Sequence, residues 1–398
     1  MKRLLFVIHY LELGGAEISL IGLLKALDYT KVDVDLFVYS HRGELMGEIP
    51  PQVNLLPEIP EYAQIERPMV DVLKDGYFRM VLARLRAKRE FARYRRKNHP
   101  KDGSAVFAYV SKNAKTLLPP INPGKEYDLA VSFLAPHDIV LEKVRAKKKA
   151  CWVHTDYTKV DIDTELEFRI WSRYDYIAAV SDAVSDAFLT RFPLLRDKVV
   201  TIPNILSVEW VRSRAEALSV EAEMPREPGV TRLLSVGRFT EAKNFDNVPD
   251  VCRRIREKGV NVRWYLIGYG GDEGLIRQRI AESGMGDYVR GLGKKDNPYP
   301  YIKACDIYVQ PSRYEGSPVT VREAMVLGKP IVATAFSTVQ SVIQDSVNGI
   351  IVPMDNDNCA VSIAHFIQNG GISFRPDTSR ISAENDLSLQ RFYNLCLS

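Results

Sequence analysis

The sequence predicts an α/β protein made of two Rossmann-like domains that face each other across a cleft. Short β-branched runs alternate with helix-length amphipathic segments along most of the chain, which is typical of parallel sheets covered by helices. This rhythm stops in a charged, proline-containing stretch and then starts again. The length of 398 residues suits two domains better than one.

Each half of the chain is predicted to supply one sheet. In the N-terminal half the expected strands are residues 4–9, 32–39, 128–133, 150–154, 176–180 and 199–202, with a helix over 16–27. In the C-terminal half they are residues 232–236, 263–267, 288–292, 307–310, 331–333 and 350–352. The predicted domains are therefore 1–207 and 231–385, joined by a linker over 208–230. The segment 386–398 is expected to pack back on the N-terminal domain.

Composition excludes several classes of protein. Apolar residues make up 46% and charged residues 26% of the chain, which excludes extensive disorder. The five cysteines are scattered without a CxxC pair, so neither a zinc site nor a disulfide framework is expected. The apolar run over 4–8 is too short for a signal peptide, and no run reaches the length of a membrane span. We therefore expect a cytoplasmic protein.

The loops that follow the strands are where a ligand is expected, because open parallel sheets bind ligands beyond the carboxyl ends of their strands. After the first strand, Gly14 and Gly15 open a helix. Either an anion approaches the helix N-terminus there, or the tight turn alone requires glycine. Arg238 and Lys243 follow the first strand of the second domain. They would clamp a diphosphate, although two solvated loop cations would give the same pattern.

The strongest local pattern is QPSRYEGSPVTVREAM over 310–325. A buried strand is predicted to end there and a helix to begin, with Ser317 as the N-cap and Pro318 at the first helical position. The backbone amides of Ser317, Val319 and Thr320 would then lack intrahelical partners and face an anionic ligand.

Two glutamates flank that helix start. Glu315 lies in the loop and would accept hydroxyls of a sugar, whereas Glu323 lies in the helix and would accept both hydroxyls of a ribose. Gly316 follows Glu315 directly. A glycine-rich strand end over 266–271, which includes Gly268, is expected in the same row of loops.

These motifs resemble one known family. The chain resembles the retaining glycosyltransferases of the GT-B fold, specifically glycosyltransferase family four, also called glycosyl transferases group 1. The resemblance rests on GGAE at 14–17, the segment 236–244, LIGYG at 266–270, two glutamates separated by seven residues, and GKPIVAT at 328–334. It covers nearly the whole chain.

The resemblance implies a nucleotide diphosphate sugar, with a UDP-sugar favoured, held mainly by the C-terminal domain. Arg238 and Lys243 would bind the diphosphate, and Glu323 the ribose. Glu315, with the turn formed by Gly316 and Ser317, would bind the sugar and phosphate. Further donor contacts are expected at Gly15, Gly268, Leu292 and Val319.

The same resemblance suggests how the reaction proceeds. His154, at a strand end of the N-terminal domain, stands where such enzymes place a histidine against the donor sugar, although a lone histidine there is often structural. His9 is a second candidate. The catalytic residues implied are thus His154, Arg238, Lys243 and Glu315. No second carboxylate suggests itself as a nucleophile, so a same-face reaction is implied, in which the leaving phosphate helps to take the proton of the acceptor.

No metal or other cofactor is expected. Asp161 and Asp163 have the spacing of an acidic pair that holds manganese in other glycosyltransferases, but no strand precedes them. We interpret them as charges at the start of a helix. In place of a metal, the cations and the helix N-terminus would stabilise the departing diphosphate.

An insertion over about 60–125 interrupts the βα rhythm and concentrates the positive charge. Residues 79–101 contain ten Lys or Arg and one acid, Glu90, in a chain whose net charge is only +4. An apolar stripe of Phe78, Val81, Leu82 and Leu85 marks its first half. Docking on an anionic membrane surface or acceptor, a solvated helix, and nucleic-acid binding are the three interpretations, the last the least favoured. Membrane docking would place the protein at the inner face of the cell membrane.

The predicted function is therefore transfer of a sugar to a glycan or lipid-linked acceptor on the N-terminal domain, in bacterial cell-envelope, capsular or exopolysaccharide assembly. Two alternatives remain. A nucleotide-sugar epimerase of the same fold would need acid and base groups in the cleft that the sequence does not suggest. A scaffold protein would bind a sugar nucleotide without turning it over.

Overall fold

The computed structural model describes residues 1–100, 102–373, 375 and 379–397, which form two compact units. The N-terminal unit is Met1–Ile205 together with the described part of 386–398, and the C-terminal unit is Leu206–Asn385. Each unit is a parallel sheet with helices, so the predicted pair of Rossmann-like domains is confirmed.

The N-terminal unit contains a seven-stranded parallel sheet in the order β3-β2-β1-β4-β5-β6-β7. Its strands are β1 (Lys2–Ile8), β2 (Val32–Val38), β3 (Asn54–Leu55), β4 (Tyr127–Ser132), β5 (Ala146–Val153), β6 (Tyr176–Ala179) and β7 (Val199–Thr201). Its helices are α1 (Gly15–Ala26), α2 (Pro60–Ala63), α3 (Met69–Lys74), α4 (Phe78–Asn98), α5 (Val106–Ala114), α6 (Asp138–Lys143), α7 (Thr164–Trp171) and α8 (Asp182–Arg191).

The C-terminal unit contains a six-stranded parallel sheet in the order β10-β9-β8-β11-β12-β13. Its strands are β8 (Thr231–Val236), β9 (Val262–Ile267), β10 (Val289–Gly293), β11 (Ile307–Gln310), β12 (Ile331–Thr334) and β13 (Ile350–Val352). Its helices are α9 (Val208–Ala215), α10 (Val248–Glu257), α11 (Glu273–Glu282), α12 (Tyr299–Ala304), α13 (Val319–Val326) and α14 (Asn356–Gln368). A last helix, α15 (Ser379–Leu397), contributes its first residues to this unit and the rest to the N-terminal unit.

The central strands form where the sequence predicts them because they are largely buried. Every residue of β8 is buried, as are Leu4–Ile8 of β1. Parallel strands covered by helices on both sides lack the polar alternation of a half-exposed strand and appear as continuous apolar runs. The two-residue strand β3 gives no such run, and the sequence does not predict it.

The predicted linker over 208–230 differs from the structure. Residues 208–215 form α9, which belongs to the C-terminal unit and packs against α12 and α13. The Ser207 side chain caps this helix by accepting a hydrogen bond from the amide of Trp210. Trp210 and Val211 are buried on the inner face of α9. Residues 208–215, which were predicted to be part of a charged linker, therefore contribute to the core of the C-terminal unit.

The end of the chain packs on the first sheet. The ring of Phe392 stacks on Phe6 at 5.8 Å, and Arg391 donates a hydrogen bond to the carbonyl of Thr201 at 2.8 Å. Residues 386–397 therefore cover the sheet of the N-terminal unit, while Ser398 lies outside the described residues.

Two further findings concern the whole described chain. All five cysteines are buried and unpaired. None of the described helices combines the length and the apolar character that a membrane span requires.

The core of the C-terminal unit is centred on Trp264 of β9. Its side chain is fully buried, and its indole nitrogen donates to the Ser235 hydroxyl at 3.0 Å. That hydroxyl in turn donates to the carbonyl of Val309 at 2.7 Å. One hydrogen-bond chain thus links β9, β8 and β11 inside an otherwise apolar core.

Trp264→Ala should lower the free energy of unfolding by about 3–5 kcal/mol, because it leaves a large cavity and removes the donor to Ser235. Chemical denaturation of the full chain measures this change. The control is Leu275→Ala on the exposed face of α11, which should change stability by less than about 0.5 kcal/mol. Equal effects of the two substitutions would contradict this account of the core.

Candidate functional site

The candidate site lies at one edge of the C-terminal sheet. Because the strands are parallel, the loops that follow β8, β9, β10, β11 and β12 all leave at the same edge. Residues 237–247, 268–272 and 311–318 form the loops after β8, β9 and β11. Most of the predicted donor-binding residues belong to these loops or to helix α13.

Glycine allows the loops after β8 and β9 to pack backbone against backbone. Gly268 has φ +155°, and a Cβ atom there would lie 1.9 Å from the carbonyl oxygen of Gly237. The amide of Phe239 donates to the carbonyl of Tyr269 at 2.8 Å. The predicted glycine-rich strand end therefore has a structural reason of its own, which is the close approach of two chain segments.

Lys243 and Glu315 meet at this edge. The Nζ of Lys243 lies 2.6 Å from Oε1 of Glu315, and both side chains are largely buried. Oε1 of Glu315 also accepts hydrogen bonds from Gln310 Nε2 at 2.8 Å and from the Ser312 hydroxyl at 2.5 Å. The structure thus brings together a cation and a carboxylate that are 72 residues apart in the sequence.

A second ion pair, which was not predicted, links the same two loops. The guanidinium of Arg313 donates to both carboxylate oxygens of Asp246, at 2.8 and 3.1 Å. Asn244, at φ +59°, donates to the carbonyl of Pro311 at 2.9 Å. The available signal was the presence of opposite charges in loops after two strands, β8 and β11, that prove to be neighbours in the sheet.

Arg238 lies at the exposed rim of the edge. Its guanidinium is 5.9 Å from the centre of the Tyr269 ring, and Nζ of Lys294 is 4.9 Å from the same ring. Lys294 directly follows β10, beside the half-buried Leu292. One aromatic ring therefore lies close to two cations at the edge, and a role for Lys294 was not predicted.

The predicted N-cap of α13 is wrong by one residue. The helix begins at Val319 with Pro318 in the N-cap position, and no side chain caps it. Ser317 lies one residue too early for its hydroxyl to reach the amides of the first turn. The backbone amides of Val319 and Thr320 form no hydrogen bond within the described part of the chain.

Glu323, the fifth residue of α13, is fully buried. One carboxylate oxygen accepts a hydrogen bond from the Tyr299 hydroxyl at 2.7 Å, and Trp210 packs edge-on against Tyr299. The other oxygen, Oε2, has no hydrogen-bond partner among the described residues. Burial raises the pKa of Glu323 to about 7, although the Tyr299 hydrogen bond acts in the opposite direction. A buried carboxylate with one unpartnered oxygen is suited to a ligand that brings hydroxyl donors.

The glycine pair of the N-terminal unit shapes the start of α1. Gly14 is the N-cap residue and Gly15 is the first residue of the helix, where it is exposed. The carboxyl group of Glu17 folds back over Gly14, and a Cβ atom at Gly14 would lie 2.2 Å from it. Glycine at position 14 therefore leaves room for the Glu17 carboxyl group.

His154 follows β5 and is held by a backbone group. Its Nε2 lies 2.9 Å from the carbonyl oxygen of Phe133, so Nε2 carries the proton and donates it. Burial lowers the pKa of His154 to about 4. The imidazole is therefore neutral at pH 7, with Nδ1 left as a hydrogen-bond acceptor.

His9, at the end of β1, is also fixed by its neighbours. Its Nδ1 contacts the carboxylate of Glu66, and its ring stacks on Tyr39 at 4.8 Å. Its Nε2 is buried without a partner among the described residues. Both predicted histidines thus lie at carboxyl ends of strands in the N-terminal sheet.

Asp161 and Asp163 were predicted to be charges at the start of a helix, and Asp163 is the N-cap residue of α7. The Asp163 side chain caps α7 by accepting from the amide of Leu166 at 3.1 Å, and it also accepts from the Tyr109 hydroxyl at 2.5 Å. Within the described ranges, no group of three or more His, Cys, Asp or Glu is arranged to hold a metal ion.

Glu323→Gln should change how stability depends on pH. The carboxyl titrates near pH 4.5 in the unfolded chain and near 7 in the fold, so between these values the folded state keeps a proton that the unfolded state has released. Stability attributable to Glu323 is therefore present below pH 4.5 and is lost as pH rises to 7, by about 3 kcal/mol at most.

Denaturation of wild type and Glu323→Gln across this pH range measures the effect as the difference between the two proteins. Glu209→Gln, at an exposed position on α9, is the matched control and should show no such slope. A difference between wild type and Glu323→Gln that does not vary with pH would refute the buried carboxyl described above.

Comparisons with known proteins agree with this geometry. Residues 222–380 match the family model of glycosyl transferases group 1. The chain is 30% identical over 147 residues to the amylovoran biosynthesis glycosyltransferase AmsK of Erwinia amylovora, covering 35% of this chain and 36% of AmsK. It is 31% identical over 172 residues to the putative colanic acid biosynthesis glycosyltransferase WcaL of Escherichia coli, covering 40% and 42%. The matches thus span less than half of either relative.

Solved structures resemble the chain over its whole length. Anabaena HepE, solved in complex with UDP and glucose, has a TM-score of 0.64 at 16% identity and covers 100% of this chain and 98% of its own. A mutant of Staphylococcus aureus TarM has a TM-score of 0.67 at 13% identity and covers 100% of both chains. At these identities the likeness concerns the fold. The C-terminal half of the chain is thus similar to glycosyl transferases group 1, and the two Rossmann-like units, with whole-length matches to these structures, show that the chain has the GT-B fold.

Proposed function

We propose that this protein is a glycosyltransferase that moves a sugar from a nucleotide diphosphate sugar to a glycan or lipid-linked acceptor. The observation that carries the proposal is the contact between Lys243 and Glu315, beside the open amides of α13. It places a cation, a carboxylate and two backbone donors at one sheet edge, within the matched family region.

The donor is a UDP-sugar in this proposal. HepE and TarM were both solved with UDP, and the unpartnered oxygen of Glu323 would accept ribose hydroxyls. The diphosphate would lie between Arg238, Lys243 and the first amides of α13, because a helix N-terminus and two cations favour a dianion. Glu315 would release part of its contact with Lys243 and accept hydroxyls of the sugar.

The reaction in this proposal retains the anomeric configuration. The bond between the anomeric carbon and the diphosphate oxygen breaks, the acceptor oxygen bonds the same carbon on the same face, and the acceptor proton passes to the leaving diphosphate. Arg238 and Lys243 stabilise the negative charge that develops on the leaving group. The neutral His154 would contact the donor sugar through Nδ1. No metal or other cofactor is needed in this scheme, because the cations supply the positive charge.

The acceptor belongs to polysaccharide assembly in this proposal. The relatives AmsK and WcaL carry names that place them in amylovoran and colanic acid biosynthesis, which supports this assignment. We assign the acceptor to the N-terminal unit, where the helical insertion α2–α5 lies between β3 and β4.

Lys243→Ala and Arg238→Ala should each lower turnover by about a hundredfold or more, since each removes a charge that stabilises the leaving group. Initial rates with a saturating UDP-sugar, in a buffer that contains a metal chelator, measure the loss. Lys258→Ala removes an exposed lysine after α10 and is the control. Near-normal turnover of both site variants would contradict the assignment of Arg238 and Lys243 to the leaving diphosphate.

A panel of UDP- and GDP-sugars should separate this function from its alternatives. A bound UDP-sugar raises the free energy of unfolding by about 2.7 kcal/mol at a hundredfold excess over Kd, and thermal unfolding detects it. Product analysis then decides the activity: nucleotide release with sugar transfer or hydrolysis supports the proposal. Binding without release indicates a scaffold, and a changed sugar without an acceptor indicates an epimerase.

A further inference from the structure

Helices α3 and α4 of the insertion present an unusual outer surface. Residues at the spacing i, i+4, i+7, i+11, i+15 and i+18 share one line along a helix. On α4 this line consists first of Phe78, Leu82 and Leu85 and then of arginines at 89, 93 and 96. One continuous line of side chains is thus apolar in its first half and cationic in its second half.

The opposite face of α4 is firmly attached to the N-terminal unit. Met80 and Ala87 are buried in it. Arg84 donates to the carbonyl of Gln64 at 3.1 Å, and the Tyr94 hydroxyl donates to the carbonyl of Ile162 at 2.8 Å. The orientation of the helix is therefore fixed, and the apolar half of its outer line stays in solvent.

Exposure of the apolar half is large. Phe78, Leu82 and Leu85 are 61%, 65% and 48% exposed, and Val70 and Leu73 of α3 are 64% and 45% exposed. Helix α3 packs against α4. We call these five residues the apolar patch. Five large apolar side chains left in water on one pair of helices indicate an interaction surface.

The arginines in the second half of the outer line make no ion pair with the described residues. Glu90 is the single acid in this part of α4, and it pairs with Arg86 and Lys112. Arg89, Arg93 and Arg96 form no ion pair within the described part of the chain. The second half of the helix therefore keeps its positive charge for an external anion. Lys101, at the end of the predicted basic stretch, lies outside the described residues.

We propose that the α3–α4 surface docks on an anionic lipid bilayer, with the apolar patch among the acyl chains and the arginine line at the phosphates. A bilayer uses both halves of the line, because apolar burial and charge attraction add. A nucleic acid would use only the arginines. This inference deepens the proposed function, since a lipid-linked acceptor lies in the same bilayer.

Flotation of the full chain with vesicles tests the proposal. Vesicles of phosphatidylcholine with about one third phosphatidylglycerol should bind the protein, and phosphatidylcholine alone should bind it much more weakly. The triple variant Arg89→Gln, Arg93→Gln, Arg96→Gln should bind anionic vesicles about a hundredfold more weakly, at roughly fivefold for each cation. The triple variant Phe78→Ser, Leu82→Ser, Leu85→Ser should lose about tenfold or more.

Matched controls change the same residue types elsewhere. Arg212→Gln, Lys258→Gln, Arg290→Gln removes three exposed cations of the C-terminal unit, and Leu194→Ser, Leu218→Ser, Leu275→Ser removes three exposed leucines. Both should bind vesicles as wild type does.

The proposal is overturned if the wild-type protein does not float with anionic vesicles. It is also overturned if both site variants float as the wild type does. Binding to single-stranded DNA or RNA that the arginine variant abolishes and the apolar variant leaves intact, with no flotation, would point to a nucleic-acid surface instead. Thermal shift by UDP-sugars is measured on the same variants. Because that readout depends on the C-terminal unit, loss of vesicle binding with normal nucleotide binding is distinguishable from failure of the proposed function.

Discussion

The buried contact between Lys243 and Glu315 holds the candidate site together. Taking an ammonium and a carboxylate out of water is costly unless other hydrogen bonds satisfy them. Here Gln310 and Ser312 donate to the same carboxylate oxygen that contacts Lys243. The arrangement positions a lysine and a glutamate from distant segments at the carboxyl edge of the sheet. An incoming phosphate would compete with Glu315 for the ammonium, and the freed carboxylate oxygen would then be available to a sugar hydroxyl.

Glu323 differs from Glu315, because one of its carboxylate oxygens has no hydrogen-bond donor among the described residues. A buried carboxylate that keeps one oxygen without a donor destabilises the fold. The high pKa of its carboxyl group is the thermodynamic sign of that cost. Such a group is retained where a ligand supplies the missing donors, and hydroxyls of a ribose are suitable. The edge thus contains two different carboxylates. Glu315 already has hydrogen-bond donors, and a ligand would replace one of them. Glu323 has one oxygen without a donor among the described residues, and a ligand would supply it.

Much of the fold could be predicted from the sequence, because strands such as β1 and β9 contain continuous apolar runs, over 4–8 and 264–267. The assignment of Lys243 and Glu315 to one donor site came from a resemblance to known enzymes, whereas their direct contact was not predicted. The brace of Arg313 on Asp246 depends on β8 and β11 being neighbours, and strand order is not visible in local patterns. Ser317 was assigned one residue too close to the helix because Pro318 fits two positions there. Helix α9 was mistaken for a linker since charged residues cover its outer face.

The most direct test of the central claim is a crystal structure of the protein with UDP or a UDP-sugar. We expect the diphosphate to contact Lys243, Arg238 and the amides of Val319 and Thr320, and the ribose hydroxyls to donate to Oε2 of Glu323. A nucleotide bound at another edge, or a diphosphate remote from Lys243, would contradict it.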